Sequence, residues 1–145
     1  MKMSRTVSYA VQATLQLAQS SADRPTPCSR LAADGQMPER FLLQILRNLV
    51  THGILHSTRG VDGGYTLDRS PDEISLLDVI EAIDGPITPS IPSSDGFATG
   101  SQERLQDALE QVTTVAREQL AAIKLSQLML PPAPLGNPSP DINPI

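Results

Sequence analysis

The chain has 145 residues, of which 39% are hydrophobic, and its net charge is −5. This length suits one domain with extensions, and the apolar content can build only a small core. One cysteine excludes an intramolecular disulfide framework, and the absence of Trp leaves packing to aliphatic side chains.

Apolar residues never run far enough without a break to predict a membrane span. The first five residues, Met1 to Arg5, lack the apolar region of a signal peptide. With its lone cysteine, the chain is therefore expected to be cytoplasmic.

Charge is distributed unevenly along the chain. Residues 1–69 hold eight basic and five acidic residues, whereas the remainder holds three basic and eleven acidic residues. Local positive charge, more than net charge, attracts a DNA backbone. The front half therefore remains a candidate for nucleic-acid binding.

A first helix is predicted from Ser4 to Gln19, with Ser4 as N-cap. Its apolar face recurs at helical spacing: Val7, Ala10, Val11, Thr14, Leu15 and Ala18. A loop from Ser20 to Pro27 follows.

Two further helices predict a helix-turn-helix. The first has Thr26 as N-cap and Pro27 at its first position, covers residues 28–33, and ends at a left-handed Gly35. Pro38 opens the second. Its predicted buried face comprises Phe41, Leu42, Ile45, Leu46 and Leu49.

Short strands at 54–58 and 65–68 enclose a Gly-rich tip that begins with Arg59. A helix follows, capped by Ser75 and Asp78 and ended by Gly85-Pro86. Residues 1–86 are therefore predicted to form a winged helix-turn-helix domain, mainly α-helical with a small β-hairpin wing.

Residues 87–101 are predicted to be a loop, 102–130 a long dimerisation helix, and the Pro-rich residues 131–145 a disordered tail. A long helix beyond a finished domain buries its apolar seam most simply on a second copy. The predicted seam is Leu105, Leu109, Val112, Ala116, Leu120 and Ile123.

Several motifs of the chain match one known family. Tyr9-Ala10-Val11 lies in the first helix, Phe41-Leu42 with Gln44-Ile45-Leu46 in the third, and Arg59-Gly60-Val61-Asp62-Gly63-Gly64-Tyr65 at the wing. Over residues 5–86 the chain resembles the Rrf-two (Rrf2) family of bacterial winged-helix transcription regulators. The resemblance implies a homodimeric, sequence-specific DNA-binding regulator that acts as a repressor at a near-palindromic operator.

Many members of that family hold an iron–sulfur cluster through three cysteines between the Gly-Pro and the long helix. Residues 87–101 contain neither Cys nor His, and Ser8 and Gln12 in the first helix would be poor additional ligands. No cofactor is therefore predicted. A cluster bridged by Cys28 from two subunits is the alternative.

DNA recognition requires a helix end in the major groove and anchoring contacts to phosphates. Arg40 is a candidate for guanine or phosphate, Gln44 for adenine, and Arg59 for a narrow minor groove. Leu43 stands where family members often carry a base-reading Glu, which leaves the operator sequence open. The complete candidate set is Tyr9, Ser29, Arg30, Pro38, Glu39, Arg40, Gln44, Arg47, Arg59, Gly60, Gly63 and Gly64. The alternative is an ordinary solvated surface, with Tyr9 in the core and the glycines serving hairpin geometry.

Cys28 is a candidate redox sensor because a helix N-terminus lowers a thiol pKa. The alternative is a small buried side chain. His52 and His56 span a helix end and a strand, so no metal site is predicted. No catalytic motif is present either, so no enzyme activity is expected.

A second function stays open. Winged helices also bind proteins, and some relatives in the family take a metabolic enzyme as co-regulator. The acidic rear half and the Pro-rich tail would suit a protein-interaction module of that kind.

Overall fold

In the computed structural model, which describes residues 1–20 and 24–131, six helices and one antiparallel hairpin follow one another. The predicted fold class is confirmed: the chain is mainly helical with a small hairpin and a long C-terminal helix. The elements are α1 (Arg5–Gln19), α2 (Cys28–Gly35), α3 (Glu39–Thr51), β1 (Leu55–Thr58), β2 (Gly64–Leu67), α4 (Leu76–Asp84), α5 (Thr99–Ala122) and α6 (Leu125–Leu128).

One apolar core is shared by α1, α3, α4 and the base of the hairpin. Its fully buried side chains include Leu42, Leu46, Leu49, Ile54, Leu55, Ile74, Val79 and Leu125. From α1, the predicted Val7, Ala10 and Thr14 are buried, and Ala13 and Leu17 complete the face. Val11, Leu15 and Ala18 are only partly buried, so the apolar face is rotated slightly from the prediction.

The turn between α2 and α3 differs from the prediction in one residue. The left-handed position is Gln36, with φ of 53°, and not Gly35. Gly35 continues the helix, and its carbonyl accepts a hydrogen bond of 2.9 Å from Gln12 Nε2 of α1. Helix α2 is therefore two residues longer than the predicted span of 28–33, and its last residue is bonded to α1.

Thr26 does not cap α2, because Pro27 occupies the N-cap position. Thr26 instead forms a β-bridge with Tyr65: its amide donates to the Tyr65 carbonyl at 3.0 Å, and the Tyr65 amide donates back at 2.9 Å. The loop before α2 thus contacts the edge of the two-stranded hairpin through one isolated β-bridge. The hairpin itself pairs Leu55 with Leu67 and Thr58 with Gly64.

The capping box of α4 is present as predicted: Asp78 N donates to Ser75 Oγ, and Ser75 N donates to Asp78 Oδ2, both at 3.0 Å. Residues 86–98 form no regular helix or strand. The domain boundaries as a whole stay a prediction. The Pro-rich tail lies outside the described residues except for Pro131.

The long helix is displaced from its predicted span of 102–130. It begins at Thr99 and ends at Ala122. Lys124 then forms a β-bridge with Ser75, supported by bonds from Leu76 N to Ile123 O at 2.8 Å and from Leu125 N to Ile74 O at 2.9 Å. This pairing with residues 74–76 interrupts the helix at residues 123–124, and the chain resumes as α6 with Leu125 fully buried in the core.

Candidate nucleic-acid interface

The outer face of α3 carries the polar side chains expected of a recognition helix. Arg40, Gln44 and Arg47 are all exposed, since Leu42, Ile45, Leu46 and Leu49 turn the opposite face into the core. Gln44 Nε2 donates to Asn48 Oδ1 at 3.3 Å, which orients the amide along the helix surface. The face combines fixed positive charge with an amide that can pair with a base edge.

The start of α3 is defined by Pro38 and Glu39. Pro38 is the N-cap residue, and its carbonyl accepts the first helical bond from Leu42 N at 3.0 Å. Glu39 places an acid in the first turn, where it complements the helix dipole. Both side chains are exposed at the end of α3 that would lead into a groove.

Phe41 was predicted to be buried, and this is wrong: it is 67% exposed. Successive residues of an α-helix are about 100° apart. Leu42 already faces the core centre, and its neighbour Phe41 is therefore turned to the flank of the helix. Leu43, at 36% exposure, lies on the opposite flank.

Ser29 and Arg30 lie exposed in the first turn of α2. The Arg30 guanidinium is 3.7 Å from the Asp34 carboxylate, but both side chains are mostly in solvent. Such a pair is weak in water and leaves the arginine free to exchange Asp34 for another anion. Tyr9 packs against the core and is partly buried, which favours a structural role.

The wing tip is an exposed turn led by Arg59. Gly63 N donates to Gly60 O at 3.0 Å and closes the turn. A Cβ on Gly63 would come within 2.2 Å of the Thr58 carbonyl oxygen, so a side chain there would open the hairpin. The glycines therefore serve hairpin geometry, and Arg59 projects the positive charge of the wing tip beside the exposed acid Asp62.

Cys28, Glu39, Arg47 and Tyr65 form a small cluster where α2, α3 and β2 meet. Cys28 Sγ lies 3.8 Å from the Glu39 carbonyl oxygen. Burial raises the pKa of the Cys28 thiol, and the Glu39 carboxylate raises it further. The expected lowering of the Cys28 pKa is therefore wrong, and the thiol stays protonated near neutral pH.

Tyr65 belongs to the same cluster. Burial raises the pKa of its phenol, the neighbouring Cys28 adds to that, and the charge of Arg47 opposes it. The positive charge of Arg47 on α3 therefore acts on a phenol of the wing strand.

The predicted dimerisation seam divides in the structure. Leu120 is only 6% exposed and belongs to the chain's own core, and Ile123 lies beyond the end of α5. Leu109 and Ala116 are partly buried. The exposed apolar row is instead Leu105, Ala108, Val112 and Val115, with Val112 at 64% and Val115 at 56% exposure.

The residues present do not fit an iron–sulfur cluster. The one cysteine is the first residue of α2, and its sulfur lies against the backbone carbonyl of Glu39. Within residues 1–20 and 24–131, no three His, Cys, Asp or Glu side chains are gathered closely enough to hold a metal ion. His52 Nδ1 is already 2.8 Å from Asn48 O. In the same ranges, no helix is long and apolar enough to cross a membrane.

A family model described as "Rrf2: Iron-dependent Transcriptional regulator" matches residues 3–131. The chain belongs to the Rrf2 family. Among its Rrf2 relatives, the HTH-type transcriptional regulator CymR of Bacillus subtilis is 34% identical over 114 residues, which cover 77% of this chain and 83% of CymR. An HTH-type regulator of Mycobacterium tuberculosis is 44% identical over 87 residues, or 60% of this chain. The match spans only about half (54%) of that relative's length.

Solved structures agree with the Rrf2 assignment. That of CymR, the global cysteine regulator of B. subtilis, superposes with a TM-score of 0.70 at 26% identity, covering 88% of this chain and 95% of that one. That of T. potens IscR gives a TM-score of 0.66 at 28% identity, covering 88% and 85%. The arrangement of winged helix and long C-terminal helix is therefore shared within the family.

Proposed function

We propose that this Rrf2-family chain is a homodimeric, sequence-specific DNA-binding transcription regulator. The observation that carries the proposal is the exposed polar surface of α3 and of the wing tip. It presents Arg40, Gln44 and Arg47 on one element and Arg59 on the other. These side chains are exposed and positively charged or amide-bearing, although the chain as a whole is acidic.

The position of each side chain indicates which part of the DNA it would contact. Arg40 and Gln44 lie in the first two turns of α3, where a recognition helix meets base edges. Arg47 is further along and suits the backbone, as do Ser29 and Arg30 in α2. Arg59 at the wing tip suits a minor groove, whose negative potential attracts arginine.

The second copy in the proposed dimer would cover the row Leu105, Ala108, Val112 and Val115. These residues step by three and four along α5, so they share one face. A two-fold axis through the paired helices would present two recognition helices, and the operator would then be nearly palindromic.

We further propose repression without an iron–sulfur cluster. A single thiol per chain cannot supply the thiolate ligands that such clusters use. Repression is the simplest outcome for a chain whose described residues supply DNA-binding and pairing elements, since an occupied promoter excludes polymerase. A reporter driven by the bound promoter should rise when the gene is deleted.

A protein-interaction module is the second candidate. After residue 69 the sequence holds eleven acidic and three basic residues, and this negative charge suits a basic partner. That function predicts capture of the same partner with and without DNA, whereas a DNA-binding regulator needs no partner to select its operator.

The direct experiment is a binding selection with the full chain on fragments of its own genome, starting upstream of its own gene. We expect one fragment or a few to bind at least about 10³-fold more tightly than random DNA at physiological salt. Equal binding to all fragments would contradict sequence-specific function.

A further inference from the structure

The recognition helix exposes two large apolar side chains beside its cations. Phe41 is 67% exposed and Leu43 is 36% exposed, and both lie within the first two turns of α3. The core does not need them, because Leu42, Leu46 and Leu49 already fill it with no exposed surface. Both side chains therefore leave apolar surface on α3 that is free for contact outside the chain.

Their directions differ. Two residues along an α-helix are separated by about 200° around the axis and about 3 Å along it. Phe41 and Leu43 therefore lie on opposite flanks of α3, and the face between them carries Arg40 and Gln44. A ligand that covers the polar face would meet one apolar side chain on either side.

We propose that Phe41 and Leu43 are specificity-determining residues that contact the 5-methyl groups of thymines beside the bases read by Arg40 and Gln44. The proposal rests on the DNA-binding function above. Thymine is the one base whose major-groove edge carries a methyl group, and apolar side chains recognise it there. Because the two side chains lie on opposite flanks of a helix about 10–12 Å across, each meets its own position.

DNA fits this mixed surface better than an apolar protein face does. Arg40 and Arg47 are exposed on the same helix. An apolar partner would bury both guanidinium groups without counter-charges, which is costly. A major groove supplies acceptors and phosphates for the cations and methyl groups for Phe41 and Leu43.

The test is removal of single methyl groups from the DNA. A preferred duplex is first selected from a random pool with the full chain, and each thymine of a half-site is then replaced in turn by deoxyuridine. This change deletes the methyl group and keeps base pairing. Wild type should lose about fourfold in affinity at one or more positions, the effect of one buried methyl-sized group.

Phe41→Ala should bind the thymine and deoxyuridine duplexes equally at one sensitive position, and Leu43→Ala at another. Leu128→Ala is the matched control: Leu128 is 38% exposed but lies on α6, and its variant should keep the wild-type pattern. Because Phe41 is mostly in solvent, its truncation leaves the core intact.

Two results would overturn the inference. One is a wild-type protein that is indifferent to every deoxyuridine substitution. The other is full methyl sensitivity in both variants, including the case in which Phe41→Ala instead weakens self-association. If the protein strongly prefers one duplex but its affinity does not change when methyl groups are removed, thymine contact by Phe41 and Leu43 is ruled out, whereas sequence-specific DNA binding is supported. If no duplex is preferred over random DNA, both proposals fall.

Discussion

Gly64 lies against the backbone of Thr26: a Cβ on this glycine would come within 2.4 Å of the Thr26 carbonyl carbon and 2.5 Å of its oxygen. The same strand exchanges two backbone hydrogen bonds with Thr26 through Tyr65. This contact joins the wing to the start of α2. The orientation of Arg59 relative to the recognition helix therefore depends on a position without a side chain.

Gly64→Ala should detach the wing from Thr26. Gly64 also has φ of 153°, so the alanine adds backbone strain of about 1–3 kcal/mol to the loss of two hydrogen bonds worth about 1 kcal/mol each. We expect the free energy of unfolding to fall by about 3 kcal/mol and DNA affinity to fall with it. Denaturant melts and duplex titrations measure the two effects. Gly96→Ala, where a Cβ meets nothing within 4 Å, should change neither.

Sequence patterns predicted most of the winged helix but not this contact. Helical spacing, the Ser75–Asp78 cap and the Gly-rich tip are local properties, and each was readable from neighbouring residues. The Gly64–Thr26 approach joins distant parts of the chain. Only the close packing of β2 on the loop before α2 creates it.

The two largest errors have the same origin. Phe41 borders the apolar stripe of α3, and periodicity alone cannot tell where the stripe ends when its neighbour Leu42 is apolar. At the C-terminal end of α5, Ile123 and Leu125 continue the helical pattern of the sequence, and no Gly or Pro between them ends it. Backbone pairing with Ile74 and Leu76 competes with the helix and prevails.

Val112→Asp should separate the proposed dimer without unfolding the chain. Val112 is 64% exposed within one chain, so an acid is tolerated there, whereas two facing acids would be desolvated at a paired interface. Sedimentation should show a mass near 15.5 kDa in place of twice that value, with an unchanged helical circular dichroism spectrum. Thr114→Asp introduces the same charge on α5 outside the apolar row and should stay dimeric. If both variants have the mass of a dimer, the apolar row of α5 does not form the interface.

Glu81 holds α5 against α4 and should give stability that depends on pH. Its carboxylate accepts hydrogen bonds from Arg117 of α5 and, at 2.8 Å, from Ile87 N. The bond from Arg117, more than the backbone bond, lowers the pKa of Glu81 below its ordinary value. A carboxyl group whose pKa is lower in the folded state stabilises the fold at every pH above its unfolded-state pKa of about 4.3. This stabilisation is lost as the pH falls through the folded-state pKa.

Glu81→Gln should therefore be less stable than wild type at pH 7, by about 1–3 kcal/mol, and the difference should shrink below about pH 4. Thermal melts of both proteins from pH 7 to pH 3 measure it. Glu103→Gln, which changes an exposed acid on α5, is the control. A difference that persists unchanged at pH 3 would mean that Glu81 acts through packing instead of charge.

Cys28 should be a slow thiol. Because burial and Glu39 raise its pKa, little thiolate is present at pH 7.5. Reaction with a disulfide reagent should be slower in the folded chain than in the urea-unfolded chain. After peroxide treatment, wild type and Cys28→Ser should bind DNA with the same affinity. Faster reaction in the folded state, with peroxide-dependent loss of DNA binding that Cys28→Ser abolishes, would restore the redox-sensor hypothesis.

If the cations of α3 and of the wing hold DNA, the affinity of the protein for DNA must depend on salt concentration. On a selected duplex, log affinity should fall steeply with log salt for wild type. The double variant Arg40→Ala, Arg59→Ala removes four cations from a dimer, so the slope should flatten by up to about 3.6 if all four neutralise phosphates, and by about 2 if only one pair does. Arg104→Ala, an exposed arginine on α5, should leave the slope unchanged. Equal affinity and equal slope for wild type and the double variant would mean that Arg40 and Arg59 do not hold DNA.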